Sequence, residues 1–319
     1  NFAMVGGDTY YIVMSTWASP QTTTFDLSIK ESVNWTGTTS SDWADVSNWS
    51  TGAIPTSSDI VAIDGTFTNE PSISSTDAVA KTVIVTTGNT LTIDETSSLT
   101  VSGDFTNTGT VTLNSTEDDF SSLIVTGTAS GDIVYNRYVN VYDDTLGGGW
   151  DLVCSPVGMS IADFITANGS NIQVLDDDYA FSQFNNATGQ WERYATAEQT
   201  GNFEAGKGYS MATTGGSTVA FAGAMQTADQ SINIINNNGL NNVGRRWNLV
   251  SNPFPSYIDG SAFLTANATI IDDVYTGVYG WDGSDYVIYN QLDFNSNVSI
   301  APGQGFWVAA ASTDSAQLG

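Results

Sequence analysis

Trp150-Asp151-Leu152-Val153-Cys154-Ser155-Pro156 returns later in the chain as Trp247-Asn248-Leu249-Val250-Ser251-Asn252-Pro253. Downstream, Gly206-Lys207-Gly208-Tyr209 returns as Gly303-Gln304-Gly305-Phe306, and the spacing inside each copy is identical, since 206 − 150 = 56 and 303 − 247 = 56. Between these landmarks, Leu175-Asp176-Asp177-Asp178-Tyr179 matches Ile271-Asp272-Asp273-Val274-Tyr275. Three landmarks in one order identify an internal duplication, which points to modular architecture rather than one enzyme core. Each copy reads as a β-sandwich with one short helix. In the first copy the helical period covers Ser160 to Ala167, where Ile161, Phe164 and Ile165 share a face; Ala262 and Phe263 sit similarly in Gly260 to Thr265.

Upstream of the duplication, short alternating strands recur between polar turns from Lys81 to Tyr135. The apolar pairs are Val83/Val85, Leu91/Ile93, Leu99/Val101, Val111/Leu113, Leu123/Val125 and Ile133/Tyr135, separated by turns such as Gly88-Asn89 and Asn107-Thr108-Gly109. One inward pair per strand cannot close a core by itself, whereas stacked coils align such pairs into ladders. The spacing predicts a short right-handed parallel β-solenoid, with the step from 91 to 111 as one coil; a further sandwich is the structural alternative.

Ahead of this region lie three tryptophans, Trp35, Trp43 and Trp49. They have two readings: a platform on which sugar rings stack, or a plug for the open end of the adjoining β-structure. Residues 1–30 read as a β-hairpin, with Thr9 to Ser15 and Thr23 to Ile29 as its strands. A lone hairpin is marginal in water, so it is expected to close an upstream sandwich. The fold expected is therefore all-β: a terminal hairpin of an upstream β-sandwich (1–30), a tryptophan-capped parallel β-solenoid (31–135) and two tandem β-sandwich repeats (136–240 and 241–319).

Composition removes several function classes. Seven Lys and Arg face 34 Asp and Glu, a net charge of −27; such a surface repels nucleic-acid phosphates and anionic lipid headgroups. Histidine is absent, and with it go the usual general base, the Ser-His-Asp and Cys-His arrangements, and the usual zinc and haem ligands. The single cysteine, Cys154, is matched by Ser251 in the sister copy and reads as a packed strand-end residue rather than a nucleophile. No apolar stretch is long enough to cross a bilayer as a helix. With no signal peptide at Asn1, the chain is expected to be an internal piece of a larger protein.

The string from Trp247 to Pro255, followed by Gly303-Gln304-Gly305-Phe306-Trp307-Val308, resembles a module of large secreted Bacteroidetes proteins exported by the type IX secretion system. The Trp35, Trp43, Trp49 and Pro55 string is similar to the segment that introduces solenoid repeats in the same proteins, and residues 1–30 resemble the closing strands of a pre-peptidase C-terminal sandwich. The resemblance implies an extracellular, cell-surface location and a sorting domain at the C-terminus, which nothing after Ala311 matches. It also implies partners among other modules of the same protein, glycans or neighbouring surfaces, and components of the translocon. Asp-Ser/Thr-aliphatic sites are O-glycosylated in that phylum, which makes Thr145 and Ser315 candidate acceptors.

The remaining chemistry is sparse. Calcium favours clustered carboxylates, and the Asp176-Asp177 and Asp272-Asp273 pairs are its candidate ligands, with a structural turn as the competing reading. Gly206-Lys207-Gly208 and Gly303-Gln304-Gly305 lack the third glycine of a phosphate loop and read as turns or bulges that permit close backbone approach. The aromatics Trp191, Tyr194, Tyr279, Trp281, Tyr286 and Tyr289 fall in middle strands of the two copies, where they serve either core packing or a carbohydrate- or protein-binding face. No catalytic residue is expected. The functional expectation is a cell-surface structural or adhesive scaffold; the alternatives are the non-catalytic tail of a secreted hydrolase, or export cargo bound to its translocon or shuttle.

Overall fold

A computed structural model describes residues 31–319 except 75, 146–148, 198, 238–242, 284, 291–297, 314, 315 and 319. The chain divides into two units, Asn1–Glu31 and Ser32–Gly319. The expected hairpin over 1–30 lies outside the described residues.

The fold of the second unit is all-β and begins with a parallel β-solenoid. Three parallel sheets form its walls. One contains Ser32–Asn34, Ile60–Ile63, Thr82–Val85, Phe105–Asn107 and Ala129–Ser130; a second contains Asp77–Ala80, Ser98–Val101 and Ser122–Val125. The third stacks Ser72–Ile73, Thr90–Ile93, Thr110–Leu113 and Asp132–Val139. Register follows from period-2 patterning: Ile73, Ile93, Leu113 and Tyr135 align in one inward ladder, while Thr92 and Thr112 align on the outer face. Leu91 pairs with Val111, so the coil step anticipated at that place is the observed one. No single coil encloses a core, and the ladders make each coil's apolar pair the cover of the next.

The duplication is structural as well as textual. In the first copy Asp151–Val153 pairs antiparallel with Tyr209–Met211, which pairs with Asp178–Asn185, which pairs with Gln190–Ala195. In the second copy Trp247–Ser251, Gly305–Ala309, Val278–Trp281 and Tyr286–Tyr289 follow the same order. Leu152↔Ser210 and Leu249↔Trp307 are the same pairing 97 residues apart (249 − 152 = 307 − 210). Each copy also carries one short helix, α1 (Ile161–Asn168) and α2 (Gly260–Ala266). Ser160 caps α1 by accepting from the Asp163 N–H, and Asp259 caps α2 by accepting from Ser261 and Ala262.

Two expected boundaries differ from the structure. The division at 135/136 falls inside the eight-residue strand Asp132–Val139, which ends the solenoid wall on one edge and pairs with Ser217–Met225 on the other. Its uninterrupted alternation carries one core from Val33 to Phe221, so solenoid and first copy share an interior. The division at 240/241 also misplaces a strand. Ile232–Ile234 pairs with Ala316–Leu318, and Ile234 packs into the core of the second copy.

Candidate functional site

The two copies meet along a seam with local two-fold character. Val153 of the first copy bridges Gln304 of the second, and Lys207 of the first bridges Val250 of the second. These contacts are reciprocal, since 250 − 153 = 97 and 304 − 207 = 97. The hydrogen bonds repeat the relation: Cys154 N–H donates to the Gly303 carbonyl and Ser251 N–H to the Gly206 carbonyl, both at 2.8 Å. Gly206 and Gly303 have positive φ values of 81° and 64°, the left-handed region that favours glycine. A Cβ on Gly208 would stand 2.7 Å from Leu249 Cγ, and one on Gly305 would stand 2.9 Å from the Leu152 carbonyl carbon. The glycine pairs therefore serve close approach of one copy to the other. Leu152, Leu249 and Trp307 are buried at this seam, with Phe184, Trp247, Tyr279 and Trp281 packed around them.

Cys154 sits at the same seam, with its thiol 3.2 Å from the Asn252 carbonyl oxygen. Burial pushes the thiol up to about 12, so at neutral pH it is protonated and poorly nucleophilic. Arg137 reaches the seam from the solenoid: its guanidinium donates to Gln304 Oε1 at 2.7 Å and lies 4.1 Å from the centre of the Phe120 ring. Desolvation lowers its pKa, while Tyr135 and Asp151 act in the opposite direction.

Trp35, Trp43 and Trp49 form an edge-to-face cluster with ring centres 4.9 and 4.6 Å apart. They are 2 %, 1 % and 3 % exposed, which corrects the sugar-platform reading: no indole face is open for a ring to stack on. They plug the solenoid's first coils. Asn48, wholly buried, holds this plug by accepting from the Thr39 and Ser40 N–H groups and donating to Ser40 Oγ and the Asp42 carbonyl.

The four aspartates do not converge. Asp176 and Asp177 form the two-residue turn between Val174–Leu175 and Asp178–Asn185, with Asp176 at φ 57°. Asp272 is engaged by Arg246 in an ion pair, and Asp273 is exposed. The textual match between the two Asp pairs is also corrected. Ile172 opposes Thr213 as Ile271 opposes Ala310, so Asp272 is the counterpart of Gln173, and the Asp176 turn is an insertion in the first copy. Among the described residues no group of three His, Cys, Asp or Glu side chains is placed to share a metal ion. Thr145 is exposed and its hydroxyl donates to Asp143 Oδ1, while Ser315 lies outside the described residues.

Two concavities flank the seam. A polar cleft of about 470 Å³ is lined by residues including Gln183, Asn186, Glu192 and Lys207. Its groups largely answer one another: Lys207 Nζ donates to Gln183 Oε1, and Asn186 Nδ2 donates to the Arg245 and Trp247 carbonyls. The second is an aromatic groove of about 340 Å³ on the other face of the same strands, with Trp150, Trp191, Trp281 and Tyr286 in its walls. Of the middle-strand aromatics, Trp191, Tyr286 and Tyr289 are exposed, whereas Tyr194 stacks on Phe181 and Tyr279 packs edge-on against Trp247. The sequence could not rank the aromatics in this way, because burial depends on which copy each strand faces.

The family model described as "Domain of unknown function (DUF8693)" matches residues 34–318, thereby taking in solenoid and both copies together. No curated protein and no solved structure matches the chain.

Proposed function

We propose, from the premise that the chain belongs to the DUF8693 family, that it is a non-catalytic structural and adhesive module of an extracellular cell-surface protein exported by the type IX secretion system. The observation that carries this reading is mechanical continuity. The solenoid wall passes into the first copy through the shared strand Asp132–Val139, and the first copy is fixed to the second by reciprocal backbone bonds. A body with one interior from Val33 to Phe221, bonded to the second copy by paired backbone groups, resists bending at its module junctions. The acidic exterior supports the same role, since like charge keeps densely displayed copies apart. Lack of histidine narrows the available catalytic chemistry.

The test is deletion of residues 32–319, in frame, from the gene in its native host. Antibody against the module is expected to label intact cells of the parent strain, and the deletion is expected to reduce cell attachment to surfaces. Labelling only after permeabilisation, or unchanged attachment accompanied by loss of an enzymatic activity, would refute the proposal.

A further inference from the structure

One rung of the duplicated sheet carries different side chains in the two copies. In the first copy the rung runs Leu152, Ser210, Ser182, Arg193 across four paired strands. In the second it runs Leu249, Trp307, Tyr279, Ile288. There the space is filled: the Trp307 ring lies 4.8 Å from Phe184 and 5.7 Å from Trp191, both of the first copy. The local two-fold relation makes Trp281 and Tyr286, cross-strand partners like Phe184 and Trp191, the counterparts of those two residues. They line the aromatic groove beside Ser210, at the place where the second copy presents an indole. The groove exists because two serines replace a tryptophan and a tyrosine.

We propose that this groove is a saccharide-binding site that takes a pyranose ring bearing a carboxylate, that is, a uronic acid residue of a glycan. Three independent features select that occupant. The floor is polar and unanswered: Ser182 and Ser210 are 3 % and 5 % exposed, line the groove, and have no hydrogen-bond partner for their hydroxyls among the described residues. The buried indole N–H of Trp281, in the groove wall, also lacks an acceptor. A buried N–H such as that of Trp281 is seldom left unpaired, and the two serine hydroxyls, which are open to the groove, can bond a ring carrying several hydroxyls. The walls supply aromatic surface, with Trp191 and Tyr286 43 % and 54 % exposed; the electron-rich ring face attracts the C–H bonds of a pyranose.

The third feature is charge. Arg193 ends the rung, with its guanidinium 5.9 Å from the centre of the Trp150 ring. It makes no ion pair with a described carboxylate, although acids outnumber bases 34 to 7. Its neighbour Glu192 points to the opposite face, where it accepts from Gln183 and Asn185. A guanidinium held beside an aromatic wall is suited to bidentate capture of a carboxylate. Repulsion from the distant acidic surface is screened beyond about 8 Å at physiological ionic strength. An aromatic peptide side chain would fit the walls but leave the hydroxyls and the guanidinium unmet. The cavity, about 340 Å³, is at the small end of the roughly 300–1,000 Å³ range of ligand pockets. It accommodates one ring of a chain whose neighbours lie outside.

Calorimetry with the purified chain tests this, using trigalacturonate, triglucuronate and, as the neutral comparison, galactotriose. A uronate is expected to bind saturably, and Ser210→Trp, which installs the second copy's residue, is expected to abolish binding with the circular dichroism unchanged. Tyr286→Ala, at an exposed position, is the second variant and is expected to weaken binding. Arg193→Gln is expected to cost roughly tenfold or more for the uronate, the worth of a charge-assisted pair, and nothing for galactotriose. No saturable binding of either uronate would overturn the proposal. So would binding unaltered by both Ser210→Trp and Tyr286→Ala, equal affinity for acidic and neutral sugars, or a preference for tryptophan-containing peptides. The experiment needs no cell surface, so its failure leaves the scaffold reading standing, and failure of the deletion test leaves this site standing.

Discussion

Gly208→Ala places a methyl group 2.7 Å from Leu249 Cγ and 2.8 Å from the Val250 carbonyl oxygen, across the seam between the copies. Neither neighbour is the free end of a flexible chain: Leu249 is buried and the Val250 oxygen belongs to a paired strand. The seam must therefore open. Overpacking of this kind costs about 1–3 kcal/mol. Opening also weakens the Gly208 N–H bond to the Leu249 carbonyl, about 0.5–1.5 kcal/mol. The alanine restricts the unfolded chain and returns about 0.4–1 kcal/mol, leaving a net loss of about 0.5–4 kcal/mol, centred on about 2 kcal/mol. Because the seam is reciprocal, Gly305→Ala, whose Cβ would stand 2.9 Å from the Leu152 carbonyl carbon and 3.0 Å from Leu152 Cβ, is expected to lose a similar amount. Gly215→Ala is the control, since nothing lies within 4 Å of its Cβ position. Urea unfolding followed by tryptophan fluorescence measures all three. If Gly208→Ala and Gly305→Ala unfolded at the midpoint of Gly215→Ala, the assignment of the glycine pairs to inter-copy approach would be refuted.

Asn48→Ala removes the side chain that answers the Thr39 and Ser40 N–H groups, and an expected loss of about 2–4 kcal/mol is read from the same unfolding curves; a loss below about 1 kcal/mol would mean the plug does not depend on it. Cys154 has a folded pKa of about 12 against 9.0 for the free group. Between those values the unfolded thiol ionises and the folded one does not, so stability falls by up to about 1.4 kcal/mol per pH unit above pH 9. Comparing pH 8 with pH 10 should reveal an extra slope that disappears in Cys154→Ser, and an equal slope in both proteins would contradict the buried thiol. Asp272→Ala strands Arg246 and is expected to cost about 2–3 kcal/mol. EDTA is expected to leave the melting temperature unchanged, and a fall of several degrees would return the aspartates to a metal-binding role.

Whatever repeats in this chain was legible in its sequence. The alternation of Leu91 and Ile93 against Val111 and Leu113 shows the solenoid because each pair recurs at its own ladder position. The repeated Trp150 and Trp247 strings revealed both copies because strands and glycine turns recur inside the chain itself. Textual matching failed where one copy gained residues. The turn at Asp176-Asp177 is such an insertion, and the chance recurrence of an Asp pair nearby masked it. The domain boundaries failed for another reason: a strand like Asp132–Val139 has one alternation pattern, yet its two edges serve two different modules. The groove was hidden because it consists of a difference between the copies. Ser182 and Ser210 are ordinary residues in a Ser-rich chain until the register shows them at the positions that Tyr279 and Trp307 occupy in the sister sheet.

That difference is what a fused pair permits and a symmetric dimer forbids. In a dimer of identical chains a two-fold seam presents each rung twice, so a serine that opens one side opens the other, and a tryptophan that closes one closes both. Joining the copies in one chain releases that constraint. Trp307 can be retained on the side where it packs edge-on against Phe184 and holds the copies together, while Ser210 leaves the equivalent side open. Cohesion and recognition compete for the same rung, and the duplication assigns one to each copy. The backbone bonds that are common to both, Cys154 to Gly303 and Ser251 to Gly206, keep the geometry of the open side as fixed as that of the closed one. A groove held in this way is preorganised, so a ligand meets walls whose ordering cost was met when the chain folded.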